Sequence, residues 1–291
     1  MGEVEIPSSW ESLDLSSAGG VVLVVGATDT GKTTLARYLM GRLRDHHQRV
    51  AFLDGDMGQA TLGPPTTMTV ALFAPGEDGF TPSGPSFRYF VGDVSPMGHM
   101  LPTVVGAWLL VQRAREEGAT AIVYDTTGLV APAHGGGALK LALVELLRPQ
   151  LVIGLQRDCE LEHLLIPLRR SDRTRVVDWK APEAVRRRDR ETRRAHRFGR
   201  YRDAFGAAQV TEVEWQRYAV IPGPTFTQHR LVALEDREGF LLSLGIVTGA
   251  ERERDTVQLL TPLKSLEEVD AIHVGDVAVD PVTFEDRRLT G

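Results

Sequence analysis

The sequence predicts an α/β fold: a mostly parallel sheet flanked by helices, followed by a small β-rich C-terminal domain. Three observations carry this expectation. From Val21 to Asp178, apolar runs of strand length alternate with stretches of helical spacing, the pattern of βαβ crossovers. A glycine-rich loop joins the first run to the first helix. Beyond Tyr218 the helical spacing stops, and short strand-like runs follow one another between Gly, Pro and acidic turns.

Taken in order, Val21-Val22-Leu23-Val24-Val25 is an uninterrupted apolar run that ends in glycine, as a strand buried on both faces requires. Thr33 to Arg44 carries Leu35, Leu39 and Leu43 at helical spacing, and Val50 to Asp54 reads as the next strand. A Gly/Pro-rich loop is expected from Gly63 to Pro85, then a strand from Phe87 to Val91. Pro96 precedes a long helical stretch from Met97 to Glu117. Ala121 to Asp125, Leu151 to Leu155 and Arg175 to Asp178 read as strands, with helices over Gly137 to Leu147 and Glu160 to Arg169 between them. Glu183 to Phe205 is helix-compatible but so charged and so poor in large apolar residues that it is expected outside any core. Strands are expected at Leu231 to Leu234, Phe240 to Val247, Thr256 to Leu260 and Ala271 to Val279. These divisions give an N-terminal extension (1–20), a main domain (21–215, with a lid over about 180–205) and a β-rich C-terminal domain (216–291).

The 291 residues are 42% hydrophobic and 25% charged, which excludes a disordered or low-complexity chain. Met1 to Ser17 has neither the basic start nor the apolar run of a signal peptide, and no segment has the apolar length of a membrane helix. The single cysteine, Cys159, excludes an internal disulfide and fits a reducing cytoplasm. His46, His47 and His134 lack partners at metal-ligand spacing, and Trp108 is expected in the core rather than as a stacking platform. Net charge is −6, yet arginines crowd between Arg169 and Arg202, and a local cationic surface binds phosphate even on an acidic protein. Only four basic residues are lysine: Lys32, Lys140, Lys180 and Lys264.

Four motifs carry chemistry. Gly26-Ala27-Thr28-Asp29-Thr30-Gly31-Lys32-Thr33-Thr34 matches G-x-x-x-x-G-K-T between a strand and a helix, the P-loop of a nucleoside-triphosphate site. Its N–H groups cradle phosphate, Lys32 reaches the β- and γ-phosphates, and the Thr33 hydroxyl holds Mg²⁺. The chain contains no asparagine, so the N-K-x-D reader of guanine is missing and ATP is the expected nucleotide. Asp54-Gly55-Asp56-Met57-Gly58-Gln59 ends the second strand. A helix running roughly 18 Å out and a strand running back bring these carboxylates to the edge where α/β folds bind ligands. A carboxylate there takes a proton from an attacking hydroxyl or holds Mg²⁺, and two carboxylates two apart on an extended segment share a face, so that one serves each role. Asp125-Thr126-Thr127-Gly128 ends an apolar strand in the Walker-B manner, with Asp125 on Mg²⁺ directly or through water. Gly92-Asp93-Val94-Ser95-Pro96-Met97-Gly98-His99 is either a second phosphate cradle or a helix-capping turn.

As an ordered set, these motifs resemble the polynucleotide 5′-hydroxyl kinase family, which spans RNA-processing and ribosome-biogenesis kinases and shorter archaeal and bacterial relatives. The likeness runs from about Val21 to Phe205. It implies a P-loop NTPase fold with an Arg-rich helical lid, ATP and Mg²⁺ as cofactors, and RNA or DNA 5′-hydroxyl ends as partners. Carried over by position, Lys32 and Asp56 are catalytic, with Asp56 as the base. Thr33, Asp54, Asp56 and Asp125 are the metal set, and Gln59, Asp93, Ser95 and Pro96 belong to acceptor binding. Arg190 and Arg194 belong to a lid that closes on the ATP phosphates, and its few apolar anchors suit a segment that orders on ligand binding. Val94 stands where the family often has threonine. Only about 20 residues precede the first strand, where eukaryotic members carry a β domain. The expected activity is transfer of the γ-phosphate of ATP to a 5′-hydroxyl. A small-molecule P-loop kinase or ATPase, and a nucleotide-gated scaffold without catalysis, are the alternatives.

Overall fold

The computed structural model describes residues 6–15, 18–74, 80, 82 and 84–289. Seven strands form the first sheet: β1 (Gly20–Gly26), β2 (Val50–Asp54), β3 (Thr67–Phe73), β4 (Ser86–Phe90), β5 (Ala121–Asp125), β6 (Leu151–Gln156) and β7 (Arg175–Lys180). Their order is β4-β3-β2-β5-β1-β6-β7, and the pairs β2–β5, β5–β1, β1–β6 and β6–β7 are parallel. The helices are α1 (Ser8–Glu11), α2 (Lys32–Arg44), α3 (Met100–Glu116), α4 (Gly136–Leu147), α5 (Glu162–Arg169) and α6 (Arg190–Phe205). The expected α/β class is therefore present, with β2, β5 and β6 buried along their whole length, as strands covered on both faces must be.

β3 corrects the sequence reading, which made Gly63 to Pro85 a loop. Its seven residues are all buried. Thr67 and Thr69 broke the apolar run, but Thr67 Oγ1 donates to Pro64 O (2.7 Å), which removes most of the cost of burying its hydroxyl. The rest of that expected loop falls partly on 75–79, 81 and 83, outside the described residues.

The chain divides into two compact units. One comprises Met1–Gly55, Val70–Ser86 and Ala107–Arg187; the other comprises Asp56–Thr69, Phe87–Gly106 and Arg188–Gly291. In the first, α2 buries Leu35, Leu39 and Leu43 at the spacing read from the sequence.

In the second unit a further sheet is built from β8 (Gln209–Glu214), β9 (Ala219–Ile221), β10 (Arg230–Glu235), β11 (Leu241–Glu251), β12 (Thr256–Thr261), β13 (Ala271–Val279) and β14 (Asp286–Arg288). Its order is β14-β13-β10-β11-β12-β8, with β9 on β13. The sheet thus takes in Gln209–Glu214, N-terminal to the boundary read at 215/216. Alternation along β10 sends Leu231 and Ala233 into a core with Phe90, Tyr201 and Phe205, and Val232 and Leu234 into another with Val257 and Ile272. Both faces are covered, which is why β10 reads as a continuous apolar run.

Two further expectations fail here. α6 is not outside the core: Tyr201 is fully buried and Phe205 is 4% exposed. Two buried aromatics one turn apart suffice, because His196, Arg197 and Arg200 add polar anchors. Trp108 is not a core residue. It is 41% exposed and continues a row of exposed side chains with Leu101 and Val105 along α3.

Phe205 stacks on Phe284, ring centroids 6.1 Å apart. Phe205→Ala should cost about 3–5 kcal/mol, read as a lower urea midpoint for the transition followed by far-UV circular dichroism.

Candidate active site

Lys32, Thr33, Asp54 and Asp125 lie in the first unit; Asp56, Gln59, Asp93, Ser95, Pro96, Arg190 and Arg194 lie in the second. In the first unit, β1 ends at Gly26 and the loop 27–31 delivers the chain to α2. Gly31 has φ +92°, a left-handed conformation that side chains disfavour. A Cβ on Gly26 would stand 2.6 Å from Leu155 O and 2.7 Å from Thr30 Oγ1, so only glycine fits. Thr30 Oγ1 (3.0 Å) and Lys32 Nζ (2.7 Å) both donate to Ala27 O, drawing the loop into a ring. Arg157, after β6, donates to Asp29 O from outside.

Parallel register sets the carboxylates. Val24 of β1 and Asp54 of β2 both pair with Asp125 of β5, so Asp54 and Asp125 sit side by side at the strand ends. Both are buried, 2% and 1% exposed. The Thr33 hydroxyl donates to Asp125 Oδ2 at 2.6 Å, tying the first turn of α2 to the tip of β5. Burial pushes the Tyr124 phenol far up, and the Asp125 and Asp54 charges push it further. A hydroxyl and two carboxylates form the all-oxygen donor set of a hard cation that keeps waters and phosphate oxygens as its remaining ligands. The residues present therefore fit Mg²⁺.

In the second unit, Asp56 Oδ1 accepts from Gly58 N and Gln59 N, each at 3.1 Å, which closes a tight turn. A Cβ on Gly58 would lie 2.5 Å from Val94 O, so glycine lets this turn lie directly against the 92–99 loop. Gln59 Nε2 donates to Gly58 O (2.6 Å) and to Arg193 O of α6 (3.2 Å), while its Oε1 is buried and has no hydrogen-bond partner among the described residues. His196 Nε2 lies 3.0 Å from Ala60 O, and Arg200 Nη2 donates to Gly63 O at 2.8 Å. Residues 59–63 thus run along one face of α6. This corrects the expectation of a weakly anchored lid. Arg190 and Arg194 are exposed on the N-terminal half of the helix, whose first turn is capped by Asp189 accepting from Thr192 N (2.7 Å).

The 92–99 loop is held from the second sheet. Asp93 is 1% exposed; its Oδ1 accepts from Ser95 N (3.0 Å) and its Oδ2 from Arg288 Nε (2.7 Å). Asp93 was expected among acceptor contacts, but its carboxylate is engaged within the protein and shapes the loop. Ser95 Oγ accepts from Met97 N (3.2 Å), and Pro96 is buried. His99 Nε2 meets Asp276 Oδ2 at 3.1 Å, and Arg230 Nη2 donates to Asp276 Oδ1 at 2.9 Å. Asp286 receives both Arg197 Nε (2.6 Å) and Arg197 Nη2 (2.9 Å) from α6.

Sequence reading missed Lys140, Arg288 and Asp276. Lys140 is 2% exposed in α4, and its Nζ donates to Thr127 O (2.8 Å) and Thr127 Oγ1 (3.2 Å), fixing the loop that follows Asp125. A signal existed: in a chain that otherwise uses arginine, Lys32 and Lys140 are the two buried lysines, while Lys180 and Lys264 are exposed.

A glycine loop between the first strand and its helix, with a hydroxyl and paired carboxylates at the ends of the neighbouring parallel strands, defines a P-loop nucleotide-binding fold. Residues 26–206 match the family model of the mRNA cleavage and polyadenylation factor CLP1 P-loop, and the chain belongs to that family. It is 25% identical to a polyribonucleotide 5′-hydroxyl-kinase of Methanocaldococcus jannaschii, covering 89% of this chain and 87% of that protein. A protein of the same name from Thermococcus kodakarensis is 30% identical over 68% of this chain and 55% of its own length. A solved wild-type Clp1p–Pcf11p complex shares the fold with a TM-score of 0.67 at 13% identity, covering 90% of this chain and 75% of that one.

A Cβ on Gly128 would lie 2.3 Å from Thr28 Oγ1 and 2.9 Å from Thr28 N. Gly128→Ala should therefore displace the phosphate loop and weaken ATP binding by about tenfold or more, roughly 1.4 kcal/mol, measured by calorimetry at fixed Mg²⁺.

Proposed function

We propose that this chain is an ATP-dependent polynucleotide 5′-hydroxyl kinase that transfers the γ-phosphate of ATP to the 5′-OH end of RNA or DNA. The observation that carries the reading is the turn of Asp56, Gly58 and Gln59 laid against the 92–99 loop. It groups a carboxylate, a buried amide oxygen and a hydroxyl-bearing loop in a chain whose other unit holds a complete P-loop. The archaeal relatives named polyribonucleotide 5′-hydroxyl-kinase, similar over most of the chain, support the same reading.

In this mechanism, the loop 26–34 wraps the ATP phosphates with backbone N–H groups and Lys32 neutralises the β- and γ-oxygens. Thr33, Asp54 and Asp125 would hold Mg²⁺, which supplies further charge neutralisation when bound. Asp56 accepts the proton of the 5′-hydroxyl as its oxygen bonds to the γ-phosphorus and the bond to the β,γ-bridging oxygen breaks, leaving ADP. Gln59 helps to orient the acceptor or the metal. Ser95 and Pro96 grip the acceptor end, with Asp93 shaping their loop. Arg190 and Arg194 stabilise charge on the transferring phosphoryl group.

Among the described residues no helix is long and apolar enough to cross a membrane. The exposed thiol of Cys159 suits a reducing cytoplasm.

The test is transfer of labelled γ-phosphate to matched 5′-hydroxyl RNA and DNA oligonucleotides. Asp56→Asn should lower kcat by at least about 10²-fold with ATP affinity retained, and acceptors already carrying a 5′-phosphate should take no label. ATP bound without transfer to either acceptor would sink the proposal. Acceptor KM should also rise with salt, since each phosphate contact releases counterions; a flat salt profile would favour a small-molecule acceptor.

A further inference from the structure

Within the second unit, a cleft of about 320 Å³ opens between the C-terminal half of α6, residues 62–64 and β11. Leu62, Leu241 and Leu244 give it an apolar wall, and two guanidiniums line it, Arg88 from β4 and Arg200 from α6. Arg200 holds Gly63 O, and its Nη1 is 4.0 Å from Asp203, an exposed carboxylate. Arg88 Nε is buried and has no hydrogen-bond partner among the described residues. Burial lowers the Arg88 pKa, and the adjacent Arg200 charge lowers it further.

Two partly desolvated cations facing one cleft repel each other, and each retains N–H groups suited to an anion. The forked geometry of arginine matches phosphate oxygens, and the apolar wall suits a flat base or sugar. We infer that this cleft is a second phosphate site, in which Arg88 and Arg200 bind the phosphate of a nucleotide unit whose remainder lies on the leucine wall. Arg200 is ten residues beyond Arg190 on α6, about 15 Å along the axis, so the cleft is separate from the lid residues of the transfer site. The phosphate is either an internal diester of the acceptor strand, an assignment that rests on the kinase reading, or that of a free nucleotide.

The test uses the full chain with Mg²⁺ and a saturating non-hydrolysable ATP analogue, so that the P-loop is filled. Inorganic phosphate and a nucleoside monophosphate are titrated while the melting temperature is followed. Both should raise it. Arg88→Gln should raise the melting temperature of the ligand-free protein, because the repulsion is gone, and abolish the ligand response; Arg88→Lys should keep part of it. In parallel, KM is measured for a 5′-hydroxyl dinucleotide and a dodecanucleotide. If the phosphate is an internal diester, Arg88→Gln raises KM about tenfold for the dodecanucleotide alone, with kcat and the KM for ATP unchanged. If the ligand is a free nucleotide, only the melting response changes. An Arg88→Gln protein that keeps the phosphate response, or is less stable than wild type, overturns the site. Wild-type protein that responds to phosphate but transfers nothing would overturn the kinase reading and leave the site standing.

Discussion

The hydrogen bond from Thr33 to Asp125 is the constraint on which the nucleotide half of the molecule depends. It joins the first turn of α2 to the end of β5, and β5 lies between β1 and β2 in parallel register. A single 2.6 Å contact thus fixes the phosphate loop against the strand that carries both buried carboxylates' alignment. Lys140 and Arg157 brace the same region from opposite ends of the chain's logic, one beneath the loop after Asp125 and one over Asp29. Removing Lys140 would take the donor from the buried Thr127 carbonyl and hydroxyl, a loss that costs most in a low-dielectric site.

In the other unit the corresponding role falls to β14, a strand of three residues. Asp286 and Arg288 are two apart, so they project from the same face. One grips Arg197 of α6 through two hydrogen bonds, and the other grips Asp93 of the 92–99 loop. A short edge strand therefore holds two elements that are far apart in sequence. These ion pairs are half-buried or better and bidentate at Arg197, which places them above ordinary surface pairs in worth.

Much of this was legible in the residues. The apolar runs of β1, β2, β5 and β6 and the G-x-x-x-x-G-K-T loop announce themselves because burial on two faces and phosphate binding each tolerate few residue types. β3 is hidden because two threonines interrupt its run and prolines flank it, and nothing local reveals that the Thr67 hydroxyl finds a carbonyl partner in Pro64. The packing of α6 is hidden for a related reason. Its anchors are His196, Arg197 and Arg200, residues that count as solvated in any hydropathy argument, yet each meets a carbonyl or carboxylate supplied from elsewhere in the chain. Arg288 and Asp276 were invisible because long-range pairs between common surface residue types leave no spacing pattern.

Val94 gives one more consequence. Its carbonyl faces the space that only Gly58 leaves open, while its side chain packs with the core of Phe90, Tyr201 and Phe205. Backbone and side chain at this position answer to different neighbours. Exchange of a hydroxyl-bearing residue for valine therefore alters cohesion beneath the loop without touching the contour presented to the Asp56 turn, so shape and adhesion can vary independently at one residue.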